Sequence, residues 1–214
     1  DHKEFLGDTI EKIAEEKLAV IEKNSIVISC NQNSQVESLI TKKVKEVGAE
    51  IIWKDSISNS YELGLKGIFQ KQNASVAVGA IEALNNLGFN IKEKHISEGL
   101  KKTTWNGRLE IINYFNKEIL VDCAHNYPAA KALSNERSNW ENEDKGIYWI
   151  LGVQRQKDIY AILKTLLNKN DRLLLVPVPN QPSWQLNDLS QIKEIDFKNI
   201  NLFYEIKNMW ESMD

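Results

Sequence analysis

A short β-branched run, Ile26-Val27-Ile28-Ser29, is followed by an amphipathic stretch from Val36 to Val47 that stops at Gly48. A second apolar run, Glu50-Ile51-Ile52-Trp53, comes directly after it. Period-2 runs rich in β-branched residues on either side of a period-3.6 run read as strand, helix, strand. A helical crossover of this length returns the chain so that the two strands lie parallel, with the helix covering one face of the sheet. The expected fold class is therefore α/β.

The rest of the chain alternates in the same way. Ile10, Ile13, Lys17 and Ile21 recur at helical spacing behind Asp8, an acidic cap, and predict a helix from Thr9 to about Glu22. After a less regular stretch from Asp55 to Gly67, an Ala-rich segment predicts a helix from about Asn73 to Leu87, ended by Gly88. Its small residues suit close packing against a sheet or another helix. A short helix after Ile96 gives way to Thr103-Thr104-Trp105-Asn106-Gly107, a polar stretch with a turn signal. The domain boundary is expected there, dividing residues 1–104 from 105–214.

Beyond it, Leu109 to Tyr114 and Glu118 to Val121 read as strands around an Asn116-Lys117 hairpin turn, and a helix is expected from Tyr127 to about Asn135. Ile147 to Leu151 and Leu173 to Val176 read as buried strands flanking an amphipathic helix from Asp158 to Leu167. The second half is thus α/β as well.

Composition narrows the function. A net charge of −3, with Lys and Glu interspersed, leaves no basic stripe of the kind that neutralises phosphate backbones, so no nucleic-acid partner is expected. Cys30 and Cys123 are far apart and outside any CxxC spacing, which suggests neither a disulfide framework nor a zinc site and fits a reducing cytoplasm. No apolar run approaches the roughly 20 residues that span a bilayer, so no membrane partner is expected.

The segment richest in chemistry is Val121-Asp122-Cys123-Ala124-His125-Asn126-Tyr127-Pro128. It is an apolar strand ending in a carboxylate, an imidazole and an amide, then Pro at a helix start. Such groups fall at the carboxyl edge of a sheet, where open α/β folds bind ligands. The plainer reading makes Asp122 and Asn126 helix caps and His125 a surface residue, and the segment alone weighs both about equally.

Several segments together resemble the folylpolyglutamate synthase and dihydrofolate synthase family, a branch of the Mur-type amide ligases. They are DHKEFLGDTIEKIAEEKLAVI at 1–21, LKGIFQKQNA at 65–74, WNGRLE at 105–110, DCAHNYP at 122–128, and the run from Gly152 to Asp158. Departures from the family pattern include Phe69 for its His, Leu18-Ala19-Val20 for its Ala-Gly-Ile, Asn106 for its Pro and Cys123 for its Gly, with Tyr127 inserted before Pro128.

The resemblance implies the end of a Mur-ligase-type central ATPase domain followed by a Rossmann-like C-terminal α/β domain. It implies ATP and Mg²⁺ as cofactors, dihydropteroate or a folate with L-glutamate as substrates, an acyl phosphate intermediate, and a monomer of the cytoplasm serving one-carbon metabolism. His2 matches the family's magnesium-binding His, and Lys17 the Lys whose carbamate holds a second Mg²⁺. Asn73 matches an adenine-edge contact, Arg108 a hinge residue reaching the ATP phosphates, and Asp122 the acid that holds the ribose. His125 and Asn126 match residues facing the phosphate and substrate cleft.

Each position also has an ordinary reading. His2 is then a solvated chain end, Lys17 a solvated helix face, Asn73 an N-cap and Arg108 a surface charge, while Trp105 and Trp149 are core or hinge packing. The chain lacks a G-x-x-x-x-G-K-[ST] loop and an initiator Met, so it is expected to be cut from something longer and to be inactive as a ligase by itself. The alternatives are another Mur-type amide ligase, or a non-catalytic α/β nucleotide-binding module.

Overall fold

Thr9 caps the first helix, its hydroxyl accepting from the Lys12 amide at 3.3 Å, and helix α1 runs over Ile10–Leu18. The structure, a computed structural model, describes residues 9–55, 57–58, 60–140, 145–191, 201–203 and 205–213. Asp8, expected as the cap, and His2 lie outside the described residues. The helix stops short of the expected Glu22 because Ile21 leaves its axis to join Ile40 and Val44 in an apolar cluster. Tertiary burial outweighs another turn of helix here.

The chain divides into two compact units, Asp1–Asp122 and Cys123–Asp214. In the first, β1 (Ile26–Ser29) and β2 (Glu50–Trp53) pair in parallel, with Ile26 opposite Glu50. They are joined through α2 (Ser34–Val47), which Asn33 caps and Gly48 ends in a left-handed conformation. The strand–helix–strand expectation holds in order and direction. Val27, Ile51 and Trp53 pack on the Ile21–Ile40–Val44 cluster, so α1 and α2 share one face of this small sheet.

Helix α3 begins earlier than its Ala content suggests, spanning Phe69–Asn86, and packs against β1. The small residues permit the contact: a Cβ on Gly79 would stand 2.9 Å from Ile28 Cγ2 and from Lys54 Cε. Ala74 and Val78 on α3 meet Ile57 and Ile96 in a second cluster, the latter from α4 (Glu93–Lys102). An antiparallel hairpin follows, β3 (Glu110–Tyr114) with β4 (Lys117–Val121). Its turn is Phe115-Asn116 rather than Asn116-Lys117, with both residues at positive φ (46° and 61°). A two-residue loop of that kind matches the right-handed twist of its strands, which one shifted by a residue would not.

In the second unit α5 (Tyr127–Glu136) packs on α6 (Ile159–Leu166), and β5 (Tyr148–Leu151), β6 (Arg172–Leu175) and β7 (Asn201–Phe203) form a parallel sheet in that order. Helix α7 (Ile206–Glu211) follows β7. Neither β7 nor α7 is foreseen from the sequence pattern. Strand β6 is the buried centre, whereas Ile150 on β5 is exposed.

One polar group lies at the middle of this core. Asp171, fully buried, takes both terminal nitrogens of the Arg137 guanidinium at 2.8 and 2.7 Å. It also accepts from the Trp149 indole (2.9 Å) and from the Ile147 and Asn168 amides (2.9 Å each). Burial by itself would raise this carboxyl's pKa, but the Arg137 guanidinium, the two amides and the indole together hold it below the ordinary value. Trp149 is packed as expected, whereas Trp105 is 69 % exposed and packs in no core.

Gly146 stands beside this network at φ +91°, where a Cβ would come 2.1 Å from the Asn170 carbonyl oxygen. Both the backbone conformation and the space demand glycine. Gly146→Ala is expected to cost about 2 kcal/mol or more, measured as the shift in a chemical-denaturation midpoint. An unchanged midpoint would show that this turn relaxes freely.

Candidate functional site

The segment Gly107-Arg108-Leu109-Glu110 forms a turn in which Gly107 and Leu109 are both left-handed, at φ +70° and +46°. Leucine is uncommon in that region, because its Cβ crowds the following carbonyl. The surroundings hold it there. Leu109 is 3 % exposed and its side chain lies so close to Gly67 that a Cβ on that glycine would be 2.7 Å from Leu109 Cδ1. The Leu109 amide donates to Asp122 Oδ2 at 3.0 Å, and the Gly107 amide donates to Glu110 Oε2 at 2.8 Å. Arg108, between them, is exposed, and its guanidinium makes no hydrogen bond or ion pair with another described residue.

Structure therefore brings Arg108 and Asp122 together through the backbone. Asp122 is not a helix cap: it follows β4 and its carboxylate fastens the turn that carries Arg108. Asn126 does cap a helix, its Oδ1 accepting from the Ala129 amide at 2.9 Å at the start of α5, so the ordinary reading holds for that side chain. His125 Nδ1 lies 2.9 Å from the Cys123 carbonyl oxygen. A carbonyl can only accept, so Nδ1 bears a proton in this contact.

Asn73 lies inside α3 rather than at its start, because the helix opens at Phe69. It is exposed, and its Nδ2 donates to Oε1 of Gln70 at 2.9 Å. Gln70 is itself only 5 % exposed. Lys17 sits exposed in the last turn of α1, where its charge also suits the helix dipole. Among the described residues no group of three or more His, Cys, Asp or Glu side chains gathers in a way that could hold a metal ion.

Two residues of this region escape sequence reasoning. Gln70 and Glu110 both stand inside the family-like segments, yet only the structure shows Gln70 orienting Asn73 and Glu110 closing the Arg108 turn. A Glu three residues after a Gly is too common a pattern to signal such a contact.

Comparison with known proteins gives a consistent result. The family model described as the C-terminal domain of dihydrofolate synthetase matches residues 108–183, beginning at Arg108 itself. A probable dihydrofolate synthetase of Schizosaccharomyces pombe is 31% identical over 194 residues, covering 81% of this chain and 46% of the relative. The dihydrofolate synthetase of Saccharomyces cerevisiae is 29% identical over 221 residues, 91% of this chain and 51% of the relative. This chain thus spans about half the length of the curated relatives it matches.

Folylpolyglutamate synthase of Mycobacterium tuberculosis, solved with ADP and AMPPCP, superposes with a TM-score of 0.80 at 19% identity, over 99% of this chain and 54% of that one. The fold is therefore that of the folylpolyglutamate synthases. From its ordered motifs, its fold and these relatives, the chain belongs to the dihydrofolate synthase and folylpolyglutamate synthase family.

Proposed function

We propose that the protein to which this chain belongs is an ATP-dependent C–N ligase that joins L-glutamate to dihydropteroate, to a folate, or to both. The observation that carries this reading is the fastened turn presenting Arg108 beside Asp122, at the position where the match to the dihydrofolate synthetase C-terminal domain begins. The relatives supply the substrate class: Escherichia coli FolC has been solved with DHPP and ADP, and another folylpolyglutamate synthase with AMPPCP and folate. A Yersinia pestis relative was solved with AMPPNP and Mn ion, which supports a divalent cation as companion to the nucleotide. We further propose Thr104–Trp105 as the division between the ATP-binding part and the C-terminal ligase part.

In the proposed reaction an oxygen of the substrate carboxylate attacks the γ-phosphorus of ATP. The bond from that phosphorus to the bridging oxygen breaks, and ADP leaves. The glutamate nitrogen then attacks the acyl carbon, a C–N bond forms, the C–O bond to phosphate breaks, and inorganic phosphate departs while the amine gives up protons. Negative reactants meet in the first step, so a permanent cation helps most where charge concentrates, on the transferring phosphoryl oxygens. Arg108 fills that role, and planar contacts of its guanidinium suit phosphate. Asp122 accepts from the ribose hydroxyls and Asn73 reads the adenine edge. Asn126 orders the start of α5, next to His125, the proposed acceptor of the attacking amine's proton. Lys17, and His2 outside the described residues, are the proposed metal-side groups, Lys17 as its carbamate.

The test is ADP release by the full-length protein with ATP, Mg²⁺, L-glutamate, and dihydropteroate or tetrahydrofolate. Turnover is expected to require both the pteridine substrate and glutamate, and Lys17→Ala is expected to abolish it while the thermal midpoint stays. ADP formation with UDP-muramyl peptides instead would point to a different Mur-type ligase, and no turnover with either to a non-catalytic module.

A further inference from the structure

We propose that Glu110 is a positioning residue for Arg108, forming with Asp122 a two-carboxylate latch that locks the turn in its strained conformation; this rests on the reading of Arg108 as a phosphate contact. The turn has an unusual pair of demands. Gly107 and Leu109 are both left-handed, and leucine resists that conformation unless its surroundings over-determine it. Each of these residues has its amide captured by a carboxylate: Gly107 by Glu110 at 2.8 Å, Leu109 by Asp122 at 3.0 Å. Amide-to-carboxylate bonds are charge-assisted and stronger than neutral ones. The Leu109 side chain adds a third restraint by lying against Gly67, just before α3.

What the latch holds is a single outward residue. Arg108 sits between the two captured amides, exposed, with no described residue bonded to its guanidinium. Its long side chain cannot be aimed by packing, so the backbone beneath must do it. A contact that acts in a transition state loses effect steeply when it is misplaced by about an ångström. Glu110 contributes through one oxygen accepting one backbone amide, a job that glutamine's carbonyl oxygen can also perform but alanine cannot.

The experiment compares Glu110→Ala, Glu110→Gln and Arg108→Ala in the full-length protein by steady-state kinetics and residue-resolved hydrogen exchange. Glu110→Ala is expected to lose exchange protection at the Gly107 amide and to lower kcat/KM for ATP roughly tenfold to a hundredfold, with KM for glutamate unmoved. Glu110→Gln is expected to restore both protection and rate, which a merely charged role for Glu110 would not allow. Impaired Arg108→Ala with unimpaired Glu110→Ala, or a Gly107 amide equally protected in Glu110→Ala, overturns the latch alone. Wild-type kinetics in both Ala variants overturns the phosphate reading of Arg108, and the positioning role with it.

Discussion

Replacing Asp171 with Ala is expected to cost about 3–5 kcal/mol of stability, because it strands the Arg137 guanidinium, itself buried, without its counter-charge. The same change leaves the Trp149 indole and the Ile147 and Asn168 amides without their acceptor. Buried donors left unsatisfied each lose their desolvation with nothing in return. Arg137 also donates to the Leu166 carbonyl at 3.2 Å, so the pair ties the end of α5 to the end of α6 as well as to β6. Chemical denaturation of the single variants and of Arg137→Met with Asp171→Leu tests this. The double variant is expected to recover much of the loss, since paired apolar replacements remove both the charge and its need for a partner. Equal and additive losses in the two singles would show that the ion pair is not the coupling element.

The same carboxylate sets a pH dependence. Its pKa is lower in the folded protein than in the unfolded chain, so its stabilisation is fully present above the unfolded value of about 4 and is lost as pH falls through the folded one. The stability difference between wild type and Asp171→Asn is therefore expected to be constant from neutral pH to about 5, and to shrink below about 4. A difference that stays flat to pH 3 would contradict the shift.

Arg108→Ala is expected to lower kcat/KM for ATP about 10²-fold or more in the full-length protein, with a thermal midpoint close to wild type. The exposed guanidinium is bonded to no described residue, so the fold loses little by its removal. Asp122→Ala is expected to impair kinetics at least as much and also to destabilise the turn, since its carboxylate holds the Leu109 amide. Asp122→Asn separates the two effects: the amide oxygen can keep the Leu109 bond while the negative charge proposed to accept from the ribose is gone. Wild-type kcat and ATP KM in Arg108→Ala and Asp122→Ala would end the nucleotide assignment.

Features that depend on neighbours in the chain were legible without the fold. The run of β1, α2 and β2 was legible because a period of two, then 3.6, then two is local, and so were the stop at Gly48 and the Asn126 cap. The ordered motifs from Trp105 to Glu110 and Asp122 to Pro128 likewise point to the family by their residues alone. The remaining features depend on contacts between distant stretches. Ile21 leaves α1 because Ile40 and Val44 receive it, and α3 opens at Phe69 although its Ala-rich pattern starts later. Leu109 adopts φ +46° because Asp122, thirteen residues on, accepts its amide and Gly67 makes room for its side chain. Asp171 becomes the polar centre of a core only once Arg137, Trp149 and two backbone amides from distant stretches converge on it. Hydrogen-bond partners and burial are set by through-space proximity, and no local periodicity encodes which distant group will complete a strained turn.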